Sequence, residues 1–415
     1  MRSEAAGIRA SRIEQITGRP LLPDFPLFVL ILALLTLGLF MVLDASYARA
    51  VQPGMTHEDP YFFFKQQAKW GVIGIAALLG AMRLPYWRLS RYGRPSILIG
   101  ISLLALVMLV GHHSHGAARW LRLGPIQVQP SEVAKLCTVF YLASYIHWRP
   151  KTIRIFNPGL VGALWPVLVA VAFIIKQPDL GTALILLATA FVMLIIGGAN
   201  LKHLGVIAGV GLMLVALMAL SHPYSRHRLT DFFSGGADNQ TSGYQVNESV
   251  KALEAGGIHG MGPGQGDAKF FHLPAPYTDC IATTMGEEFG LIGTIGLLTL
   301  FFILTLRGYY VAHRCPNSYG TLLAAGLCTW ITVQALLNLA VISRSVPATG
   351  VPLPMVSFGG SSLVLVLFAS GLLLSISRWP DLCDIKALLD EESQPRRTRP
   401  TLIQNRGDMT RWNIP

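Results

Sequence analysis

Apolar residues run along this chain in blocks of membrane length, each closed by charged residues or by clusters of proline and glycine. The blocks predict helices at about 26–44, 67–84, 94–111, 131–147, 159–176, 180–198, 203–220, 286–306, 319–342 and 355–377. Each approaches the roughly 20 residues that a helix needs to cross a bilayer core. The last block is interrupted: Pro352-Leu353-Pro354-Met355-Val356-Ser357-Phe358-Gly359-Gly360-Ser361-Ser362 sets helix breakers and small hydroxyls inside it. In hydrocarbon every backbone N–H and C=O needs an internal partner, so unwound chain at membrane depth persists only where protein buries it or a polar cavity is lined. The break therefore marks a candidate site.

Composition agrees with that reading. Of 415 residues, 52% are hydrophobic and 13% charged, and the mean hydropathy is +0.50. The fold class is an all-α polytopic membrane protein of about ten transmembrane helices. An even number of spans puts both termini on one side, and the Lys/Arg distribution chooses the side. Arg2, Arg9, Arg12 and Arg19 precede the first span, and Arg396, Arg397, Arg399, Arg406 and Arg411 follow the last. Short connections carry Arg83, Arg88, Arg91 and Arg94, then Arg149, Lys151 and Arg154, then Arg307 and Arg314. The termini are expected in the cytoplasm, with a tail over 1–25, a membrane domain over 26–378 and a second tail over 379–415. The first 25 residues lack the compact apolar core of a cleaved signal peptide.

The net charge of +11 is then mostly orientation signal and attraction to anionic lipid. Nucleic acid is excluded as a partner, because no basic soluble domain exists to hold it. Cys137, Cys280, Cys315, Cys328 and Cys383 show neither CxxC nor metal spacing, so no disulfide framework is expected. His112, His113 and His115 lack a carboxylate or cysteine at ligand spacing and read as solvated.

With that topology the largest connection, about 221–285, lies outside. It opens with the basic patch Arg226-His227-Arg228, passes an Asp238-Asn239-Gln240 insertion, and continues into an amphipathic stretch from Tyr244 to Ala255. A glycine-rich run from Gly256 to Gly266 then leads to Tyr277-Thr278-Asp279. Phe270, Phe271, Leu273, Tyr277 and Ile281 interleave with polar residues, which predicts order. Polar chemistry also gathers at outer helix ends. Arg119-Trp120 precedes Gln129-Pro130-Ser131-Glu132-Val133-Ala134-Lys135, where Glu132 and Lys135 share one helical face. Gln177-Pro178-Asp179-Leu180-Gly181-Thr182 forms a tight hairpin, and Glu287-Glu288 opens the eighth span.

These segments, with Gly243-Tyr244-Gln245, Gly286-Glu287-Glu288-Phe289-Gly290 and the break after Pro352, resemble the SEDS family (FtsW/RodA/SpoVE) in order and spacing. Pro60 to Lys65 and Gly243-Tyr244-Gln245-Val246 are closer to FtsW-like members. The resemblance implies a peptidoglycan glycosyltransferase that polymerises lipid II at the outer face of the cytoplasmic membrane, in cell division, releasing undecaprenyl diphosphate. It also implies a class B penicillin-binding protein as partner, among divisome or elongasome proteins, and places the family's catalytic aspartate at Asp279.

Such chemistry needs a base for the acceptor hydroxyl and cations near the diphosphate, which departs without protonation. Asp279 suits the base, being outside, just before a span and among apolar residues. The competing reading is that Asp279 or Thr278 caps the eighth helix. Arg119 and Lys135 suit a diphosphate or a peptide carboxylate, against interfacial snorkelling with Glu132 and Lys135 merely paired. Trp120 offers a stacking face for a sugar or an aromatic-belt anchor. Gln177, Asp179 and Tyr244 enter as substrate-binding candidates through the resemblance. Asp179 reads either as an N-cap or as a holder of a substrate amide or a divalent cation, Mg or Mn.

Glu287 and Glu288 either complement a helix N-terminus or orient Asp279 or a cation. Ser357, Ser361 and Ser362 either donate to substrate or, like Gly359 and Gly360, allow close helix packing. The chain departs from the family pattern at Tyr277, where histidine is usual, and at Cys280-Ile281-Ala282, where aromatics are usual. Two other functions fit parts of the pattern: a flippase for lipid-linked precursor, which broken helices suit, and a non-catalytic scaffold, which Tyr277 suits.

Overall fold

Helices form over all ten apolar blocks. The computed structural model describes residues 22–50, 59–114, 117–124, 126–221, 232, 242–271, 273 and 276–378. The membrane helices are α1 (Phe25–Ala50), α2 (Phe62–Arg83), α3 (Gly93–Val110, led by a 3-10 turn at Tyr86–Tyr92), α4 (Pro130–Trp148), α5 (Val161–Lys176), α6 (Leu180–Ile196) and α7 (Leu201–Ser221). After the large connection, which contributes α8 (Ser242–Gly256) and the short α9 (Ala268–Phe271), come α10 (Ile281–Arg314), α11 (Ser318–Ile342) and α12 (Gly360–Ser377). Six stretches are by length and composition sufficient to span alone: Phe25–Tyr47, Tyr86–Val110, Phe156–Lys176, Ile281–Arg314, Ser318–Ile342 and Gly360–Ser377.

The structure amends the expectation at three points. A small antiparallel sheet, β1 (His112–Ser114), β2 (Ala117–Leu123) and β3 (Ile126–Val128), stands between α3 and α4. The tenth helix begins at Gly360 rather than 355, because the chain over 351–359 turns on itself after two prolines. The eighth block is two helices, 281–289 and 291–314, joined at Gly290. Gly290 has φ +65°, a left-handed value that favours glycine, and a Cβ there would stand 2.4 Å from the Gly260 nitrogen. Glu287 and Glu288 therefore end a short limb instead of opening the span, and the helix-start reading of these two residues is wrong.

α11 lies at the centre, against α4, α6 and α10, with Trp330 and Tyr319 fully buried. α12 runs along α2 at close range: a Cβ on Gly371 would meet the Leu78 carbonyl oxygen at 2.3 Å. Small residues are the usual way for membrane helices to approach this closely. At the end where the chain enters and leaves the bundle, the Asp24 N–H donates to Ser377 Oγ at 3.0 Å. The Asp24 carboxylate accepts from the Leu27 N–H at 2.9 Å and from Arg307 Nη2 at 2.6 Å. This clasp joins α1, α10 and α12. Residues 1–21 and 379–415, the Arg226-His227-Arg228 patch, Asp238-Asn239-Gln240, His115 and Cys383 lie outside the described residues.

Candidate active site at the unwound segment

The unwound chain between α11 and α12 is satisfied by buried side-chain amides. Gln334 Nε2 donates to the Pro352 carbonyl at 2.9 Å, and Asn338 Nδ2 to the Val351 carbonyl at 2.8 Å. From α2, Gln67 Nε2 donates to the Ser357 carbonyl at 3.2 Å while its Oε1 accepts from the Gly359 N–H at 3.2 Å. Gln67, Gln334 and Asn338 are almost fully buried. Neutral amides meet the backbone's demand for partners without placing charge in hydrocarbon. Ser357 closes the turn from within, its Oγ accepting from the Leu353 N–H at 2.9 Å.

Asp279 lies against this segment. Asn338 Nδ2 also donates to the Asp279 backbone carbonyl at 2.8 Å, so a single amide ties Asp279 to residue 351. A Cβ on Gly350 would come within 3.9 Å of Asp279 Oδ2. The Phe358 N–H donates to the Tyr277 carbonyl at 2.9 Å. The Tyr277 ring packs against Phe63 at 4.4 Å and Phe358 at 5.6 Å, making a three-ring cluster from α2, the loop and the break. Burial raises the Tyr277 phenol above its usual range, with the charge of Arg49 pulling the other way. Tyr277 thus braces the turn through packing, which histidine would do with a smaller, titratable ring.

The Asp279 side chain is half-buried and does not cap the helix. Its Oδ1 accepts from Thr278 Oγ1 at 2.9 Å, while Cys280 takes the N-cap position with no side-chain bond. Behind it, Cys280 is buried against Gln245 of α8, whose Nε2 lies 2.8 Å from its sulfur. Burial first, and then the charge of Asp279, push the Cys280 thiol up to about 12. Tyr244, the neighbour of Gln245, is half-buried on the same helix.

Two further groups adjoin the break. In the first, Lys135 Nζ pairs with Glu132 Oε1 at 2.7 Å, both side chains 2% exposed. Gln334 Oε1 accepts from Lys135 Nζ at 2.7 Å and from Trp330 Nε1 at 3.0 Å, and Ser362 Oγ donates to Glu132 Oε2 at 3.0 Å. Snorkelling is thereby ruled out for Lys135, which points inward. Ser361 Oγ accepts from the Gln129 N–H at 3.4 Å.

In the second group, Arg119 of β2 reaches the hairpin before α6, donating from Nε to the Gln177 carbonyl at 2.7 Å and from Nη2 to the Pro178 carbonyl at 2.6 Å. Asp179 caps α6 through the Thr182 N–H at 3.1 Å. Gln177 Nε2 donates to the Leu104 carbonyl at 3.3 Å. A Cβ on Gly181 would meet Val351 and Thr349, so the hairpin abuts the break beside Asp279. Trp120 follows on β2, opposite His112.

Glu287 and Glu288 are elsewhere, at the far end of the 281–289 limb. Glu287 Oε1 accepts from the Asp267 and Ala268 N–H groups at 2.9 and 3.1 Å. Glu288 accepts from the Gly264 N–H at 3.0 Å and from Lys269 Nζ at 2.5 Å, and Lys269 also pairs with Asp44 of α1 at 2.8 Å. Carboxylates are disfavoured at a helix C-terminus, and here the N–H groups and ammonium offset that. Burial lowers the Lys269 pKa, but the hydrogen bonds and charges of Asp44 and Glu288 outweigh it, leaving the group above its ordinary 10.5. These glutamates are tied to the loop and do not orient Asp279.

Sequence reasoning missed Gln67, Gln334, Asn338, Lys269 and Asp44. Amides and an acid inside apolar spans were the available signal. Among the described residues no cluster of three or more His, Cys, Asp or Glu could hold a metal.

Comparison with known proteins bears on the same region. A family model described as Cell cycle protein, FTSW_RODA_SPOVE, matches residues 25–380. The chain is 38% identical to Stage V sporulation protein E of Bacillus subtilis over 86% of its own length and 97% of that protein. It is 33% identical to the probable peptidoglycan glycosyltransferase FtsW of Geobacter metallireducens, covering 85% and 94%. In structure it resembles a chain from a peptidoglycan synthase complex that coordinates polymerization and crosslinking, with TM-score 0.69 and 29% identity over 86% and 98%. It also resembles the rod shape determining protein RodA of Thermus thermophilus, with TM-score 0.64 and 28% identity over 86% and 97%. The break, the Asp279 turn and the hairpin before α6 all fall within the matched span, and the chain belongs to the FtsW, RodA and SpoVE family of cell cycle proteins.

Proposed function

We propose that this protein is a peptidoglycan glycosyltransferase that polymerises lipid II at the outer face of the cytoplasmic membrane, with both termini inside. The observation that carries the reading is the placement of Asp279. It is a half-exposed carboxylate fixed through its backbone to a buried amide and packed on an unwound segment that two other helices stabilise. In the reaction its carboxylate accepts the proton of the acceptor hydroxyl as that oxygen bonds the anomeric carbon. The bond to the diphosphate breaks, and undecaprenyl diphosphate leaves with the electron pair. A positioned base contributes about 10²–10⁴-fold.

Arg119 supplies positive charge beside the site while its fork holds the hairpin, and Arg49 acts electrostatically on the neighbouring Tyr277. Lys135 is neutralised by Glu132, so its role here is to hold α4 and α11 at the break. Among the described residues, Asp279 and Asp179 stand on the two segments that meet at the break, and they would hold a divalent cation, Mg or Mn. That donor set suits an ion arriving with the diphosphate, since Mg commonly uses one or two carboxylates with phosphate oxygens and water.

A class B penicillin-binding protein is the expected partner, consistent with a structural relative that belongs to a synthase complex. An FtsW-like role in division follows from the sequence motifs around residues 60–65 and 243–246. The deciding experiment measures glycan strands made from labelled lipid II by the protein with a partner lacking glycosyltransferase activity. Strands from wild type and none from Asp279→Ala support the reading. Equal strands from both reject Asp279 as the base, and none from either with partner bound and cation supplied reject the polymerase in favour of a scaffold or a flippase.

A further inference from the structure

A groove of about 490 Å³ lies between α5, α6 and α7, remote from Asp279. Its lining is hydrocarbon, including Phe156, Leu168, Leu187, Phe191, Val206 and Gly211. Leu168 and Val206 are 44% and 64% exposed, so one side opens to the bilayer. On the α7 side the wall includes Gly211, where a Cβ would meet nothing within 4 Å. Its volume is within the roughly 300–1,000 Å³ usual for a small-molecule site.

One end of the groove is polar. The Phe156 ring meets the edge of His203 at 5.4 Å, bringing the segment before α5 to the start of α7. Arg154 and Lys202 flank those two residues, are exposed, and form no ion pair among the described residues. A hydrocarbon slot with two exposed cations close in the chain to its Phe156 and Leu204 lining matches a lipid that carries both a chain and a negative phosphodiester.

We propose that this groove binds one acyl chain of an anionic phospholipid from the cytoplasmic leaflet, its headgroup held by Arg154 and Lys202. The leaflet assignment rests on the orientation proposed above. A cation near the surface favours anionic lipid by roughly fivefold, so the pair predicts a preference of about ten- to thirtyfold over zwitterionic lipid.

The test is native mass spectrometry of the full-length protein titrated with dioleoylphosphatidylglycerol, dioleoylphosphatidylcholine or undecaprenyl phosphate. Wild type is expected to retain one phosphatidylglycerol at the stated preference. Ala188→Phe and Ala208→Phe, which fill the groove, are expected to lose it. R154Q/K202Q, at exposed positions that leave the fold intact, is expected to bind both phospholipids alike. Equal retention of the two phospholipids by wild type, an undiminished preference in R154Q/K202Q, or displacement of phosphatidylglycerol by undecaprenyl phosphate would overturn the proposal. The assay reads retention without turnover, so its failure leaves the polymerase reading standing.

Discussion

The short limb 281–289 has carboxylates at both ends, and the fold treats them in opposite ways. Just before its start, Asp279 keeps a half-exposed side chain whose described bond is to the neighbouring threonine, while the backbone does the anchoring. At its finish, Glu287 and Glu288 are 2% and 1% exposed and spent on loop N–H groups and Lys269. The difference separates a carboxylate available for chemistry from carboxylates used as ties. Proximity in sequence and identical residue class would have grouped all three.

The contrast breaks first if Asp279→Ala leaves polymerisation near wild type. The expected outcome is a fall of about 10²–10⁴-fold, with unfolding stability changed by less than about 1 kcal/mol. Lys269→Met should do the reverse, costing about 3–5 kcal/mol by leaving buried carboxylates unpaired. Thermal unfolding in detergent checks it, and Glu288→Gln added to Lys269→Met should recover part of the loss. The sign with pH follows from the raised Lys269 pKa. Its stabilisation is complete below the ordinary 10.5 and is lost as pH rises through the higher folded value, so neutral buffers leave the ammonium's contribution intact.

A smaller effect is expected from Asn338→Leu, which orphans the Val351 carbonyl and frees the Asp279 carbonyl. It should cost about 1–3 kcal/mol and lower turnover more than substrate affinity. The mildest probe is Cys280. With its thiol pushed up to about 12, maleimide labelling at pH 8 should run roughly a thousandfold slower than for a free cysteine. Fast labelling would show the limb's first turn opening.

The membrane architecture was legible because bilayer thickness fixes block length, and the break at 352–362 was legible because two prolines and two glycines within nine residues interrupt a helix. Asp279, Glu132 with Lys135, and the hairpin at 177–182 were found as polar groups at span ends. The reversal at Gly290 was not, since Gly286 to Leu291 reads as continuous helix until the loop carbonyls of Gly257 and Ile258 take the N–H groups of Leu291 and Ile292. Nor was the tie of Lys269 to Asp44: the two are 225 positions apart, and only the folded loop brings them together. Gln67, Gln334 and Asn338 were visible as amides in apolar spans, but their carbonyl partners follow only from helix packing.

The clasp at Asp24 makes the two ends of the membrane domain near neighbours, with the Asp24 N–H on Ser377 Oγ and Arg307 closing the junction. The chain therefore enters the described domain at Leu22 and leaves it at Arg378 side by side. A factor that binds where the chain enters is held beside the point where it leaves, and a second contact there forms at a high local concentration rather than at the cell's bulk concentration. Two individually weak contacts at that junction would thus act as one strong one.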